Sequence, residues 1–287
     1  TGLEMPEKPT WDFIKDAARK LTDKPNEVYG ICLRGKPGWG ENIAFLTVMA
    51  NAYGARWFDM DWKPQFDSEA WKATITDYVA LMKEAGPPNA SANGYNENLA
   101  LFRSGKCAIW IDATVAGRFV TDADSSVADR VGFALAPNKG LGKSASWLWS
   151  WALAISTDSD HKDAAKQFVL WATSKHYLEL VAAQKGWSNA PPGTRTSLYE
   201  NPEYQQLPFA KMTLASMQAA DPHHPTVEEA PYTGIQFVAI PEFQSIGTAV
   251  GQRFAKALEG SITVDEALAN AQWVTEKVME RTRFLEQ

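Results

Sequence analysis

The chain has no apolar run long enough to cross a membrane. Its longest uncharged apolar-rich stretch, Ser144 to Thr157, is 14 residues, and a bilayer core needs about 20. No basic region followed by an apolar one opens the sequence TGLEMPEKPTW, so no signal peptide is expected within these residues. No run or stripe of like charge gathers its 28 Lys and Arg, and net charge is −6 with pI near 5.3, which excludes a nucleic-acid partner. Cysteine is scarce: Cys32 and Cys107 can form one disulfide or stay as buried thiols. The four histidines lack metal-ligand spacing, since His161 and His176 fall on predicted helices and His223-His224 lies in a Pro-flanked loop, so no metal is expected.

The common catalytic signatures are missing too. There is no G-x-S-x-G and no Cys with a plausible His partner, which removes the usual nucleophiles. Gly142-Lys143-Ser144 resembles the end of a P-loop, but Pro137 stands where the first glycine belongs, and its missing N–H defeats a phosphate cradle. Gly35, Gly38 and Gly40 do not have dinucleotide-loop spacing, so no cofactor is expected.

What remains is an ordinary globular composition, 45% hydrophobic and 22% charged. It is enough to bury about three-quarters of the unfolded surface in one large or two medium domains. Thr10 caps a helix carrying Phe13, Ile14, Ala17, Ala18 and Leu21 at helical spacing. Val28 to Leu33 reads as a buried strand followed by a glycine-rich loop, Arg34 to Glu41, and a helix from Asn42 to Tyr53. Helices are expected at Ser68 to Glu84 and Asn96 to Ser104. A strand is expected from Cys107 to Asp112, and a helix from Ala113 to Phe119. Val131 to Ala136 and Trp147 to Ile155 read as further strands. Helices then follow at His161 to Ser174, Lys175 to Lys185, Tyr204 to Ala219, Phe237 to Glu259 and Val264 to Phe284. The alternation predicts an α/β fold with a mostly parallel sheet.

Aromatics are the feature that stands out: 33 residues, 12 of them Trp, and several fall where loops meet strand ends. Trp39 is in the glycine-rich loop, Trp110 precedes Asp112 by two, and Trp187 follows Gly186 in a coil. Trp147, Trp149 and Trp151 alternate, which in a strand places them on one face. An indole offers an apolar face and an N–H edge, the two things a sugar or polyol presents a use for. Arg34, Glu41, Asn42, Asp112, Asn189, Arg195 and Gln236 stand in or beside loops and can bond hydroxyls. Asp112 ends a buried strand at the carboxyl edge of the sheet, where ligands of open α/β sheets bind. Glu41 and Asp112 are also the two carboxylates a glycoside hydrolase would need.

The order of motifs resembles the extracellular solute-binding proteins that deliver sugars to ABC importers, in particular polyol-binding members. The resemblance rests on Pro9-Thr10-Trp11-Asp12, Gly30-Ile31-Cys32-Leu33-Arg34-Gly35-Lys36, Phe102-Arg103-Ser104-Gly105-Lys106-Cys107-Ala108-Ile109-Trp110, Ala136-Pro137, Ala152-Leu153-Ala154-Ile155-Ser156, Ala164-Ala165-Lys166-Gln167-Phe168 and Val264-Asp265-Glu266-Ala267-Leu268. It implies a two-lobe type II periplasmic binding protein with the ligand clamped between lobes. Residues 1–138 and 196–287 would then be the C-terminal lobe, 147–187 a segment of the N-terminal lobe, and 139–146 and 188–195 connectors. It implies that the family's opening β-rich portion is not in this chain, so that the chain alone binds weakly or not at all.

The expectation is therefore a monomeric periplasmic protein that captures a polyol such as mannitol or sorbitol, or a monosaccharide, and hands it to membrane permease subunits without chemistry. The ligand contacts expected are Arg34, Trp39, Glu41, Trp110, Asp112, Trp149, Trp187, Asn189, Arg195 and Gln236. Trp149 is chosen from its triplet as the residue level with the cleft. A hydrolase using Glu41 and Asp112 is the alternative.

Overall fold

Thr10 begins the first helix as its sequence requires. Its backbone is extended and its Oγ1 accepts from the Phe13 amide at 3.2 Å, capping α1 (Trp11–Leu21). Trp11, Ile14, Ala17 and Ala18 share one face of that helix and are all buried. The computed structural model describes residues 2–193 and 195–285. The chain forms two compact units, 1–148 with 216–287, and 149–215. Residues 139–148 thus pack with the first unit and 188–215 with the second.

In the first unit β1 (Tyr29–Cys32), α2 (Asn42–Ala52), α3 (Glu69–Ala85), α4 (Tyr95–Arg103), β2 (Cys107–Trp110) and α5 (Ala116–Val120) follow α1. The strands pair in parallel, with Ile31 opposite Ile109 and Cys32 opposite Trp110, and Cys32 and Cys107 are joined as a disulfide. All eleven residues of α2 are buried, the polar Asn42, Thr47 and Asn51 among them, so this helix is enclosed all round and forms the centre of the core. Trp57, Phe66, Trp71, Phe243 and Phe254 make the aromatic cluster beside it. Trp11, Trp57 and Trp71 are therefore core residues, fully enclosed.

The remaining helices are α6 (Lys162–Ala172), α7 (Lys175–Lys185), α8 (Thr196–Tyr199), α9 (Pro202–Gln205), α10 (Ala210–Ala219), α11 (Phe243–Glu259) and α12 (Val264–Leu285). Prolines move the expected boundaries. Pro208, which has no N–H to give, lies between α9 and α10 where one helix was expected from Tyr204. Pro241 delays the start of α11 to Phe243. α11 closes over the loop after β1 through two glycines. A Cβ on Gly247 would lie 2.9 Å from the Trp39 Cβ, and one on Gly251 would lie 2.6 Å from Asn42 Oδ1.

Two expected strands do not form. Residues 131–136 run beside the N-terminal segment, where Leu135 N–H donates to the Glu7 carbonyl at 3.0 Å and Asn138 N–H to the Pro9 carbonyl at 3.1 Å. Pro6 and Pro9 have no N–H to return, so pairing stops at the single bridge Thr10–Asn138,. Residues 145–156 carry no bridge among the described residues, and Trp151, Leu153 and Ile155 are exposed. Alternation in a sequence supplies one face of a strand, and only a neighbour supplies its hydrogen bonds. Trp147, Trp149 and Trp151 consequently do not line a sheet face. The α/β class is as expected, with a two-stranded parallel sheet among the described residues.

Candidate functional site

Strand register delivers the central pair. Arg34 and Asp112 each lie two residues beyond the paired positions Cys32 and Trp110, so the parallel strands release them side by side at their carboxyl ends. The guanidinium forks onto the carboxylate, with Nε to Oδ2 at 2.8 Å and Nη2 to Oδ1 at 2.6 Å. Its Nη1 donates to the Gly40 carbonyl at 2.9 Å and stands 3.6 Å from Glu41 Oε2. Tyr78 Oη donates to the Arg34 carbonyl at 3.0 Å and pins the backbone from α3. Burial opposes the Arg34 charge, and the hydrogen-bonded Asp112 more than offsets it, so the guanidinium pKa stands above its ordinary value,.

Asp112 is nevertheless not the open acceptor that its place at a strand end suggested. Its side chain is 1% exposed, and both oxygens are engaged by Arg34. Oδ1 also accepts from the Ala113 amide at 2.7 Å. Asp112 therefore sets the plane of Arg34, and the second carboxylate beside them is Glu41, whose side chain is 32% exposed although its Oε2, facing Arg34, is shielded. Gly94 leaves room for that carboxylate, since a Cβ there would lie 2.5 Å from Oε2. A carboxylate held bidentate and shielded has no free face for a water or a leaving group, so the hydrolase alternative built on Glu41 and Asp112 fails on geometry.

Aromatic rings complete the cluster. The Arg34 guanidinium carbon is 4.9 Å from the Trp147 ring centroid and 5.4 Å from that of Tyr95, within cation–π range. Trp110 lies against Tyr95 and Phe102, at 5.5 and 5.9 Å between centroids. Burial and the Asp112 charge push the Tyr95 phenol up to about 12. Among the described residues, Tyr95 Oη, Trp110 Nε1, Trp147 Nε1 and Glu41 Oε2 are shielded and make no hydrogen bond. Tyr95, Trp147 and Glu41 flank the guanidinium and Trp110 lies against Tyr95, so these donors and one acceptor are of the types that hydroxyls can bond.

The structure thus gathers Arg34, Glu41, Trp110 and Asp112 from the expected set. Trp39, half-buried, lies on the same loop against α11. Gln236 is committed elsewhere: its amide donates to the Leu148 carbonyl at 2.8 Å and accepts from the Leu148 amide at 3.3 Å. It is 3% exposed, so in this structure its amide clamps the 146–148 segment. The other four belong to the second unit. Trp149 is exposed and packs edge-on against Trp151 at 5.8 Å. Trp187 Nε1 donates to Glu203, Asn189 to the Lys185 carbonyl at 2.7 Å and Arg195 to the Thr173 carbonyl at 2.6 Å, which ties the coil of that unit to its helices. Tyr95 was missed, although its position opening a helix after Gly94 marks a strand-edge loop. Trp147 was passed over for Trp149 because alternation fixes a face and not a depth.

A buried arginine stands at the carboxyl ends of the parallel strands, fixed by one carboxylate and walled by aromatics. Residues 1–178 match the family of bacterial extracellular solute-binding proteins, and the chain belongs to that family. It is 55% identical, over 99% of its length, to the mannitol-binding protein of Pseudomonas aeruginosa, of which it spans 65%. A solute-binding protein of an ABC transporter from Agrobacterium vitis, solved with bound D-mannitol, superposes with a TM-score of 0.96 at 65% identity, covering 98% of this chain and 68% of that one. A second, from Agrobacterium radiobacter in complex with ribitol, matches with a TM-score of 0.79 at 25% identity, covering 96% of this chain and 65% of its own. Solved structures at lower identity include the two-lobe maltose-bound protein of Thermotoga maritima, with a TM-score of 0.80 at 19% identity, and this shared architecture is the type II class expected.

Proposed function

We propose that the chain is the solute-capturing component of an ABC importer for a linear polyol, with mannitol the first choice. Capture is reversible and leaves the ligand unchanged, and the loaded protein, a monomer in the periplasm, delivers it to permease subunits in the membrane. The unit of residues 1–148 and 216–287 is assigned to the C-terminal lobe and residues 149–215 to part of the N-terminal one.

The observation that carries this reading is the Arg34 fork. Asp112 holds the guanidinium in one plane, and Tyr95 Oη, Trp147 Nε1 and Glu41 Oε2 on the residues beside it, with Trp110 Nε1 on the ring against Tyr95, have hydrogen-bonding capacity to spare. A flexible polyol offers consecutive hydroxyls that both donate and accept, as this mixed set requires. The mannitol-bound relative at 65% identity supports the choice of ligand.

Thermal unfolding of the chain with about 100 mM mannitol, sorbitol, arabitol or glucose tests it. A ligand with a dissociation constant of about 1 mM adds about 2.7 kcal/mol at that concentration, so even weak capture registers. Mannitol should raise the midpoint most. A shift with glucose larger than with any polyol, or turnover of a glycoside, overturns the reading.

A further inference from the structure

Helix α4 encloses an unexpected kind of side chain. Of its nine residues, Tyr95 to Arg103, the one that is buried is Asn98, at 0% exposure. Its amide carries two donor hydrogens and an acceptor oxygen, yet neither Nδ2 nor Oδ1 makes a hydrogen bond among the described residues. Asparagine is a poor former of helix interiors, and an enclosed amide without a partner costs more than an apolar side chain of similar shape. Leucine would meet both objections, so the asparagine is explained by a partner for its amide.

The helix face says where that partner stands. Asn98 follows Tyr95 by three residues and precedes Phe102 by four, so the three side chains share one face. The Trp110 ring rests against both outer members, with centroids 5.5 Å from Tyr95 and 5.9 Å from Phe102, and so spans the position that Asn98 occupies. Trp110 Nε1 is also shielded and without a hydrogen bond. Two enclosed polar groups thus lie on adjoining side chains and do not bond each other. Internal water is what proteins use in this situation, since one molecule makes about three hydrogen bonds to buried atoms that otherwise have none.

We infer that Asn98 holds an internal water against Trp110 Nε1, and that this water fixes the indole at the end of β2. The water accepts from the Trp110 Nε1–H and donates to Asn98 Oδ1, which satisfies a donor and an acceptor that have no protein partner. Trp110 is the last residue of β2 and Asp112 follows it by two, so the setting of the ring and the Arg34 fork share one strand end. Asn98 is fully enclosed and acts on a solute only through Trp110, which makes it a positioning residue. The hydration site does not depend on which solute is captured, whereas its effect on capture rests on the polyol reading above.

The test begins on the ligand-free chain with isotope-labelled tryptophan. Trp110→Phe assigns the Trp110 indole signal, and water-selective NOE spectroscopy should show a long-lived water at it. In Asn98→Leu that cross-peak should vanish while the urea midpoint stays close to the parent's, because an apolar group of similar shape replaces the amide and its water. Asn98→Met, unbranched and adaptable, repeats the test if the leucine variant does not fold. Mannitol affinity of the folded variant, read from the ligand dependence of the thermal midpoint, should fall about two- to tenfold, the worth of one hydrogen bond. Four results each overturn the inference: no cross-peak at Trp110 in the parent, a cross-peak that survives in the apolar variants, loss of the fold in both variants, or undiminished mannitol affinity where the cross-peak is gone. A parent that ignores mannitol counts against the polyol reading instead, and the cross-peak then decides on the water by itself.

Discussion

Arg34 and Asp112, 78 residues apart, meet as a two-bond fork because each lies two positions past a residue paired across β1 and β2. The strand register is therefore what builds the site, and the fork is a structural joint as well as part of it. With the Asp112 side chain 1% exposed and that of Arg34 10% exposed, removing one partner strands a buried charge.

Asp112→Ala should accordingly cost stability as well as binding. Breaking a buried ion pair by deleting one partner costs about 3 to 5 kcal/mol, and urea unfolding would read it. The double variant Asp112→Leu with Arg34→Met should recover at least half of that loss, since no charge remains buried. A single Asp112→Ala variant as stable as the parent would remove Asp112 from the role of positioning residue.

Tyr95→Phe separates packing from binding. The hydroxyl is shielded and makes no hydrogen bond, so its removal should leave stability unchanged or raise it slightly, because an unsatisfied buried polar group is a cost. The mannitol-induced rise in thermal midpoint should fall at the same time. Equal loss of both would indicate that the phenol acts only through packing.

Alkaline pH should weaken the fold. Burial raises six of the eight tyrosines above their ordinary value of 10, and Tyr95, Tyr199 and Tyr232 are pushed up to about 12. As pH rises the unfolded chain releases these protons first, so stability is full below pH 10 and declines as pH rises through 12,. Urea midpoints at pH 9, 10 and 11 should fall across the last step, and a flat profile would contradict the buried placement of these rings.

Local signals in the sequence were enough for much of this molecule. The Thr10 cap and the apolar stripe of α1 are written in adjacent residues and form as read, and the two strands form within the expected Val28 to Leu33 and Cys107 to Asp112, ending one and two residues earlier. The fork was not legible, because pairing across 78 residues has no local mark. The commitment of Gln236 to Leu148, 88 residues away, was hidden in the same way. The alternation around Trp149 gave a strand period without revealing that no neighbour would pair with it.

Gly251→Ala tests how tightly the loop after β1 is held. A Cβ there would lie 2.6 Å from Asn42 Oδ1 and 3.0 Å from the Gly38 amide nitrogen, and Asn42 bonds both the Gly38 amide and the Gly251 carbonyl. Overpacking of this kind costs about 1 to 3 kcal/mol. The same loop carries Gly40, whose carbonyl accepts from Arg34, so mannitol binding should weaken along with the denaturation midpoint. A variant that loses neither would show that α11 gives way without disturbing the loop.

Glu41→Gln is the sharpest probe of the division of labour on one guanidinium. Asp112 and Glu41 both face Arg34, but Asp112 is enclosed with both oxygens bonded, whereas Glu41 reaches only 3.6 Å from Nη1 and keeps a 32% exposed side chain. A partly exposed ion pair of that length contributes about 0 to 1 kcal/mol to stability, so the glutamine variant should unfold almost where the parent does. Binding should respond differently, because a carboxylate accepting from a ligand hydroxyl makes a charge-assisted bond of about 1.5 to 3 kcal/mol. Mannitol affinity should fall by about tenfold or more, read by calorimetry beside the urea curve. The opposite pattern, with stability lost and affinity kept, would make Glu41 the second structural carboxylate and leave the ligand hydroxyls to the indole and phenol groups.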